Sequence, residues 1–247
     1  MAEMRRFPLS PALQRAMELL SDPPSNPVVS RGYLDLLGGE ADSGSAQNTG
    51  AIQRLWASPF GSMFYDNAQT LARRLLEAWQ HPIEWPDIPA GGVALDVGCG
   101  PGSITASLAR AVGADGLALG VDVSEPMLAR AVRVQAGAQA GFLRADAQQL
   151  PLRDNTVDAV VSIAVLQLIP DPMAALGEMA RVLKPGGRIA LMVPTVGLAS
   201  RIWQLPLKSG VRVFGDDEIA DTLEGYGFTS VRAKNFGTIQ WVRGKQA

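Results

Sequence analysis

The sequence predicts an α/β fold, a mostly parallel sheet with helices on both faces, and three observations carry the prediction. From about residue 91 to 194, short apolar runs alternate with amphipathic helical patterns, as βα units around a parallel sheet require. The longest apolar stretches, AVVSIAVLQLIP among them, are too short to span a bilayer. At 247 residues the chain is long enough to bury a full core in one domain without covalent or metal staples.

The elements follow in order. PALQRAMELL has a short helical pattern, but the proline cluster DPPSNP and the polar stretch GGEADSGSAQNTG come after it, so residues 1–50 read as an N-terminal arm and flexible linker. Residues 51–90, with NAQTLARRLLEAW, read as a helical cap segment. VALDVG, LALGVDV, GFLRAD, VDAVVSI and GRIALMV read as five strands. The stretches SITASLARAV, EPMLARAVRV and PMAALGEMARVL carry apolar residues at three- and four-residue spacing, as helices lying on a sheet do. KPGG at 184–187 suits a tight turn before GRIALMV, Pro185 presetting one φ and Gly186 accepting a positive one. A last helix near DDEIADTLEGYG precedes FTSVRAKN and IQWVRG, and Asn235 and Gly237 bracket Phe236 between those runs. That pattern predicts an antiparallel hairpin at the sheet edge and brings the expected strands to seven. Residues 91–247 would form the core, with a lid insertion near 195–212.

Composition narrows the function classes. With 22 basic and 24 acidic residues, a formal charge of -2 and no basic stripe, a nucleic-acid partner is not expected. Cys99 and His81 are the lone cysteine and histidine, so neither a disulfide framework nor a zinc cluster can be assembled, and no metal is expected. The first twenty residues lack the apolar segment of a secretory signal, which makes a soluble cytoplasmic protein the default expectation.

The chemistry points to ALDVGCGPGSIT. Gly98, Gly100 and Gly102 follow an apolar strand and precede a helix, where missing Cβ atoms let a ligand approach the backbone and helix N–H groups face it. The dinucleotide fingerprint wants a glycine where Ser103 stands, and it has no need of Asp96 on the preceding strand. Asp122 ends the next strand, where an acid accepts hydrogen bonds from ribose hydroxyls; this fits NAD as well as other nucleosides. Asp146 ends the third, where it can accept from an exocyclic adenine amine while the Ala147 N–H reaches a ring nitrogen. Cys99, inside the loop with no histidine near it in sequence, reads as a small filler of a tight turn.

Together Asp96-x-Gly98-x-Gly100-x-Gly102, GVDVSEPML, RADAQQLPLRDNTVDAV and RVLKPGGRIAL resemble the class I S-adenosylmethionine-dependent methyltransferases, in particular the small-molecule branch of ubiquinone and menaquinone biosynthesis. The likeness runs from about residue 91 to 194 and implies a Rossmann-like fold with S-adenosylmethionine as cofactor. It further implies that the loop from Asp96 to Gly102 lies along the methionine part, the backbone around Gly98 receiving the ammonium. Asp122 would hold the ribose hydroxyls, Val123 and Met127 would pack on the adenine, and Asp146 with Ala147 would read its edge. Ser162 and Ile163 would offer backbone carbonyls.

The methyl acceptor is less determined. Related sequences often carry histidine where Gln167 and Leu168 stand, which removes an obvious base and leaves Gln167 to orient an acceptor. Tyr65 and Asp66 in GSMFYDNAQT resemble a tyrosine-aspartate pair of the quinone branch, making Tyr65 and Gln167 the catalytic candidates. Trp56, Phe60, Phe64, Tyr65, Trp79 and Trp85 crowd the segment before the core, where they would pack flank helices or cap an apolar pocket. Phe64, Thr195, Arg201 and Trp203 are further candidates for substrate contact. The expected reaction is transfer of a methyl group to oxygen, carbon or nitrogen of a small, largely apolar molecule such as a quinone, phenol, polyketide or lipid. The alternatives are a non-catalytic cofactor-binding module and an NAD-dependent oxidoreductase.

Overall fold

The computed structural model describes residues 9–29, 31–37, 87–195 and 212–247. Along the chain run α1 (Pro11–Leu19), β1 (Leu34–Asp35), β2 (Val93–Val97), α2 (Ser103–Val112), β3 (Leu117–Asp122), α3 (Glu125–Gln135) and β4 (Ala140–Arg144). There follow β5 (Val157–Ile163), a 3-10 turn (Leu166–Leu168), α4 (Pro172–Val182), β6 (Leu183–Pro194), α5 (Glu218–Gly225), β7 (Phe228–Phe236) and β8 (Ile239–Gln246). The strands make one sheet in the order β1-β4-β3-β2-β5-β6-β8-β7. Pairing is parallel from β1 to β6 and antiparallel through β8 and β7. Because β2 pairs with both β3 and β5, the strand order reverses at β2, the place where open α/β sheets bind ligands in a crevice beyond the strand ends.

Helices cover both faces, so the central strands are apolar throughout rather than alternating; Leu117 to Val121 of β3 are all buried. On one face α1, α4 and α5 set Leu13, Ala16, Leu176, Met179, Ile219 and Leu223 against the sheet. On the other, α2 contributes Leu108 and Val112, and α3 contributes Leu128 and Ala131. Each of the leucine, isoleucine, valine and methionine side chains adds about 1.5–3 kcal/mol of burial.

The structure departs from expectation at three points. The sheet has eight strands rather than seven: Leu34 and Asp35, from a segment expected to be arm and linker, pair in parallel with Leu143 and Arg144. The arm is docked at its helix as well, where Ser10 caps α1 by accepting from the Leu13 N–H at 3.3 Å and Ala12, Leu13 and Ala16 are buried. KPGG, finally, is not a turn ahead of the strand but a bulge within β6. Leu183 pairs with Val157 and Arg188 with Ala159, so the four residues between them loop out opposite Asp158, Gly186 taking φ +80° as anticipated. The C-terminal hairpin forms as read, turning at Gly237 with φ +63°, and β8 lies inside β7.

Candidate active site at the strand ends

The glycine loop is built by close approach. Gly98, Gly100 and Gly102 hold φ of +75°, +50° and +79°, in the region that favours glycine. A Cβ on Gly98 would stand 2.3 Å from Val165 Cγ2, and one on Gly102 would stand 2.8 Å from Phe142 Cζ. Protein atoms therefore fill the space under both glycines. The Gly98 and Cys99 N–H groups donate to the Val121 carbonyl at 2.8 and 3.0 Å, which stitches the loop to the end of β3. Cys99 is buried beside Tyr33, Leu128 and Phe142, and burial pushes its thiol well up, so it is filler and no nucleophile.

Three acids end three adjacent parallel strands. Asp96 on β2 is buried and accepts from Thr105 Oγ1 at 2.6 Å; desolvation pushes its pKa up to about 7, against the Thr105 hydrogen bonds. Asp122 on β3 is half-buried, and each of its oxygens is fixed by a backbone donor, Oδ2 by Gly100 N–H at 2.9 Å and Oδ1 by Ser124 N–H at 2.8 Å. Although part of its surface is open, it lies deep enough that desolvation raises its pKa, offset by those N–H donors. Just past β4, Asp146 is held by Gln148, whose backbone N–H donates to Oδ1 at 2.9 Å. Ala147, Val123 and Met127 are half-buried around it and the start of α3. The carboxylates of Asp122 and Asp146 are thus held in fixed orientations, as acceptors of the kind that suits hydroxyl and amine donors.

Across the crevice, Ser162 is buried and donates through Oγ to the Val97 carbonyl at 3.0 Å, tying β5 to β2, and Ile163 packs partly buried beside it. Ala164 next holds φ +57°, uncommon for a residue with a side chain. Gln167, in the turn beyond, has a buried Oε1 with no hydrogen-bond partner. Thr195 is buried too, but its hydroxyl bonds to Phe214 O at 3.2 Å and Asp216 Oδ1 at 2.9 Å, so it secures the end of β6. Phe64, Tyr65, Asp66, His81, Arg201 and Trp203 lie outside the described residues. Sequence reading missed Thr105, which holds Asp96, and the ion pair of Arg144 with Asp35 at 3.0 Å; no local pattern links residues 109 apart. Among the described residues no group of three potential ligands could hold a metal, and no helix is long and apolar enough to cross a membrane.

Residues 95–191 match the model of a family described as a methyltransferase domain. A demethylmenaquinone methyltransferase of Staphylococcus epidermidis is 34% identical over 173 residues, covering 68% of this chain and 71% of the relative. The chain belongs to the class I S-adenosylmethionine-dependent methyltransferases, in the menaquinone-like branch. A second demethylmenaquinone methyltransferase, from Bacillus mycoides, is 43% identical over 117 residues, covering 46% of this chain and 49% of its own. An S-adenosylmethionine-dependent methyltransferase from Aquifex aeolicus superposes with a TM-score of 0.55 at 25% identity, over 68% of this chain and 90% of that one. A chain from the complex of the Haloferax volcanii Trm112 methyltransferase activator with a methyltransferase reaches 0.63 at 20% identity, over 79% and 97%, and shares the fold. This methyltransferase acts on a small molecule with S-adenosylmethionine as donor, which sets aside the nicotinamide and non-catalytic alternatives.

Proposed function

We propose that the methyltransferase acts on a reduced quinone-type ring, with its cofactor held by Asp96, Gly98, Gly100, Gly102, Asp122, Val123, Met127, Asp146, Ala147, Ser162 and Ile163. One observation carries the cofactor assignment: Asp122 ends β3 and Asp146 stands just past neighbouring β4, with their oxygens fixed by the Gly100, Ser124 and Gln148 backbone N–H groups and by the Gln148 side-chain amide. Two fixed acceptors at the ends of neighbouring strands suit a nucleoside, one for the sugar hydroxyls and the other for a base amine. Bound, the cofactor supplies an electrophilic methyl on a sulfonium. The protein's part is alignment and exclusion of water.

The acceptor assignment is supported by the demethylmenaquinone methyltransferase relatives and by the buried, unpartnered Oε1 of Gln167 in the turn that follows β5. An orphan acceptor of this kind costs about 1–3 kcal/mol, and a hydroxyl on the incoming ring would satisfy it. In that pose Gln167 would hold the ring by its hydroxyl, so that the adjacent ring carbon would face the methyl the bound cofactor supplies, and the proton leaving that carbon would need an acceptor in the site. Tyr65 is the further candidate for handling that proton, while Phe64, Arg201 and Trp203 are candidates for the pocket wall.

The test pairs turnover with binding. S-adenosylhomocysteine release should accompany methylation of a demethylated naphthoquinol and be weak with a simple phenol. Methylation of phenols alone would remove the quinone assignment. In calorimetry, Asp122→Ala should weaken S-adenosylhomocysteine by about 1–3 kcal/mol, the value of a hydrogen bond to a charged group, and unchanged affinity would place the ribose elsewhere.

A further inference from the structure

Arg144 closes β4, and the ladder sets it opposite Asp122 of β3 on one side and Asp35 of β1 on the other. Residues paired across a ladder direct their side chains to the same face, and neighbouring strands run about 4.8 Å apart. One guanidinium therefore has a carboxylate within reach on either hand.

It turns to the arm. Nη1 lies 3.0 Å from Asp35 Oδ2 and 3.3 Å from Glu125 Oε1, while Nε donates to the Val123 carbonyl at 3.3 Å. Asp122 takes the Gly100 and Ser124 backbone N–H groups. The Arg144 and Asp35 side chains are 20% and 15% exposed, so the pair is worth more than a solvated surface bridge, and breaking it leaves the half-buried cation with only the Val123 carbonyl and the Glu125 carboxylate. Glu125 is already shared with Arg31. The next acid along the sheet is Asp122.

We propose that Asp35 is a positioning residue of the N-terminal arm: it holds the Arg144 guanidinium away from Asp122, keeping that carboxylate available to the ribose hydroxyls of the cofactor. The proposal rests on the reading of Asp122 as the ribose acceptor. It gives the two-residue strand β1 a function beyond closing the sheet edge, because the arm decides which acid Arg144 neutralises. The arm's seat does not depend on this charge. Tyr33 is buried with Cys99, Leu128 and Phe142, and the Leu37 N–H, which donates to Asp35 Oδ1 at 3.1 Å, would find the same acceptor in an asparagine.

The experiment is calorimetric titration of S-adenosylhomocysteine into the full chain and three variants, with thermal melting of each. Asp35→Asn should weaken binding roughly tenfold, the order of a lost charge-assisted hydrogen bond, and should raise the KM for S-adenosylmethionine while kcat at saturation holds. Arg144→Gln should bind like wild type, and Asp35→Asn with Arg144→Gln should recover wild-type affinity, since no guanidinium remains to occupy Asp122. A pair that serves only to fasten the arm gives the opposite pattern. Wild-type affinity in Asp35→Asn, or a double variant no tighter than Asp35→Asn, overturns the proposal. Asp122→Ala separates the two levels: if it binds like wild type the ribose assignment itself has failed, whereas if it weakens binding and Asp35→Asn does not, only the role given to Asp35 falls.

Discussion

At the scale of single residues, the glycine loop is specified by what lies beneath it as much as by what it would hold. Gly98 combines φ +75° with a site where a Cβ would meet Val165 at 2.3 Å. Backbone strain at such a φ costs an ordinary residue about 1–2 kcal/mol, and crowding a packed contact adds about 1–3 more. Gly98→Ala should therefore lower stability by at least about 2 kcal/mol, visible as a lower urea midpoint, and should weaken S-adenosylhomocysteine by displacing the loop. A midpoint equal to wild type would mean that the loop does not sit on the β5 turn. The positions of the three glycines, Asp96, Asp122 and Asp146 near the strand ends are legible from sequence, because each sits at a fixed offset from an apolar run. What the sequence could not tell was how each acid is satisfied. Thr105 on Asp96 and Gly100 on Asp122 are tertiary choices made by the turn of the loop.

At the scale of elements, legibility followed burial. Strands β2 to β6 are covered on both faces and read as continuous apolar runs, so the parallel core was readable with its helices. β1 was not: two residues carry no period, and its neighbours are the prolines and glycines that signal a loop. Its pairing is fixed instead by Leu34 being wholly buried and by the reach of Asp35 to Arg144. KPGG misled for a related reason, since its residues have turn chemistry whether they precede a strand or bulge from one. The arm's helix offers a direct check of how much the docked segment matters. Leu13 is 1% exposed, and a Cβ on Gly141 of β4 would lie 3.4 Å from Leu13 Cδ2, so α1 seats directly on the sheet backbone. Leu13→Ala should cost about 2–5 kcal/mol by urea denaturation, as buried leucine truncations do. A loss below about 0.5 kcal/mol, typical of surface positions, would mark α1 as a detachable decoration.

At the scale of the whole molecule, the fold carries a charge cost at its centre. The Asp96 carboxyl, ordinarily near 3.8, is pushed up to about 7 by burial, with Asp122 raising it further, and Asp122 is itself shifted upward. A raised carboxyl binds its proton more tightly in the folded state than in the unfolded chain. Folding then takes up a proton between those two pKa values, and the associated stability, complete below about pH 4, is lost as pH rises through about 7. For Asp96 the rise from 3.8 to about 7 corresponds to roughly 4 kcal/mol across that window. An isosteric amide has no proton to lose and can still accept from Thr105, so Asp96→Asn isolates this contribution from every other titrating group. Urea unfolding of the cofactor-free protein at pH 4, 6 and 8 should find the variant close to wild type at the lowest pH and more stable than wild type by a few kcal/mol at the highest. A difference that stays constant with pH would show that folding leaves the Asp96 carboxyl at its ordinary pKa. The expected result would instead mean that the carboxylate is a strained element at neutral pH, relieved when a positively charged ligand group reaches the loop. That relief would tie the stability of the central strand β2 to occupancy of the crevice above it.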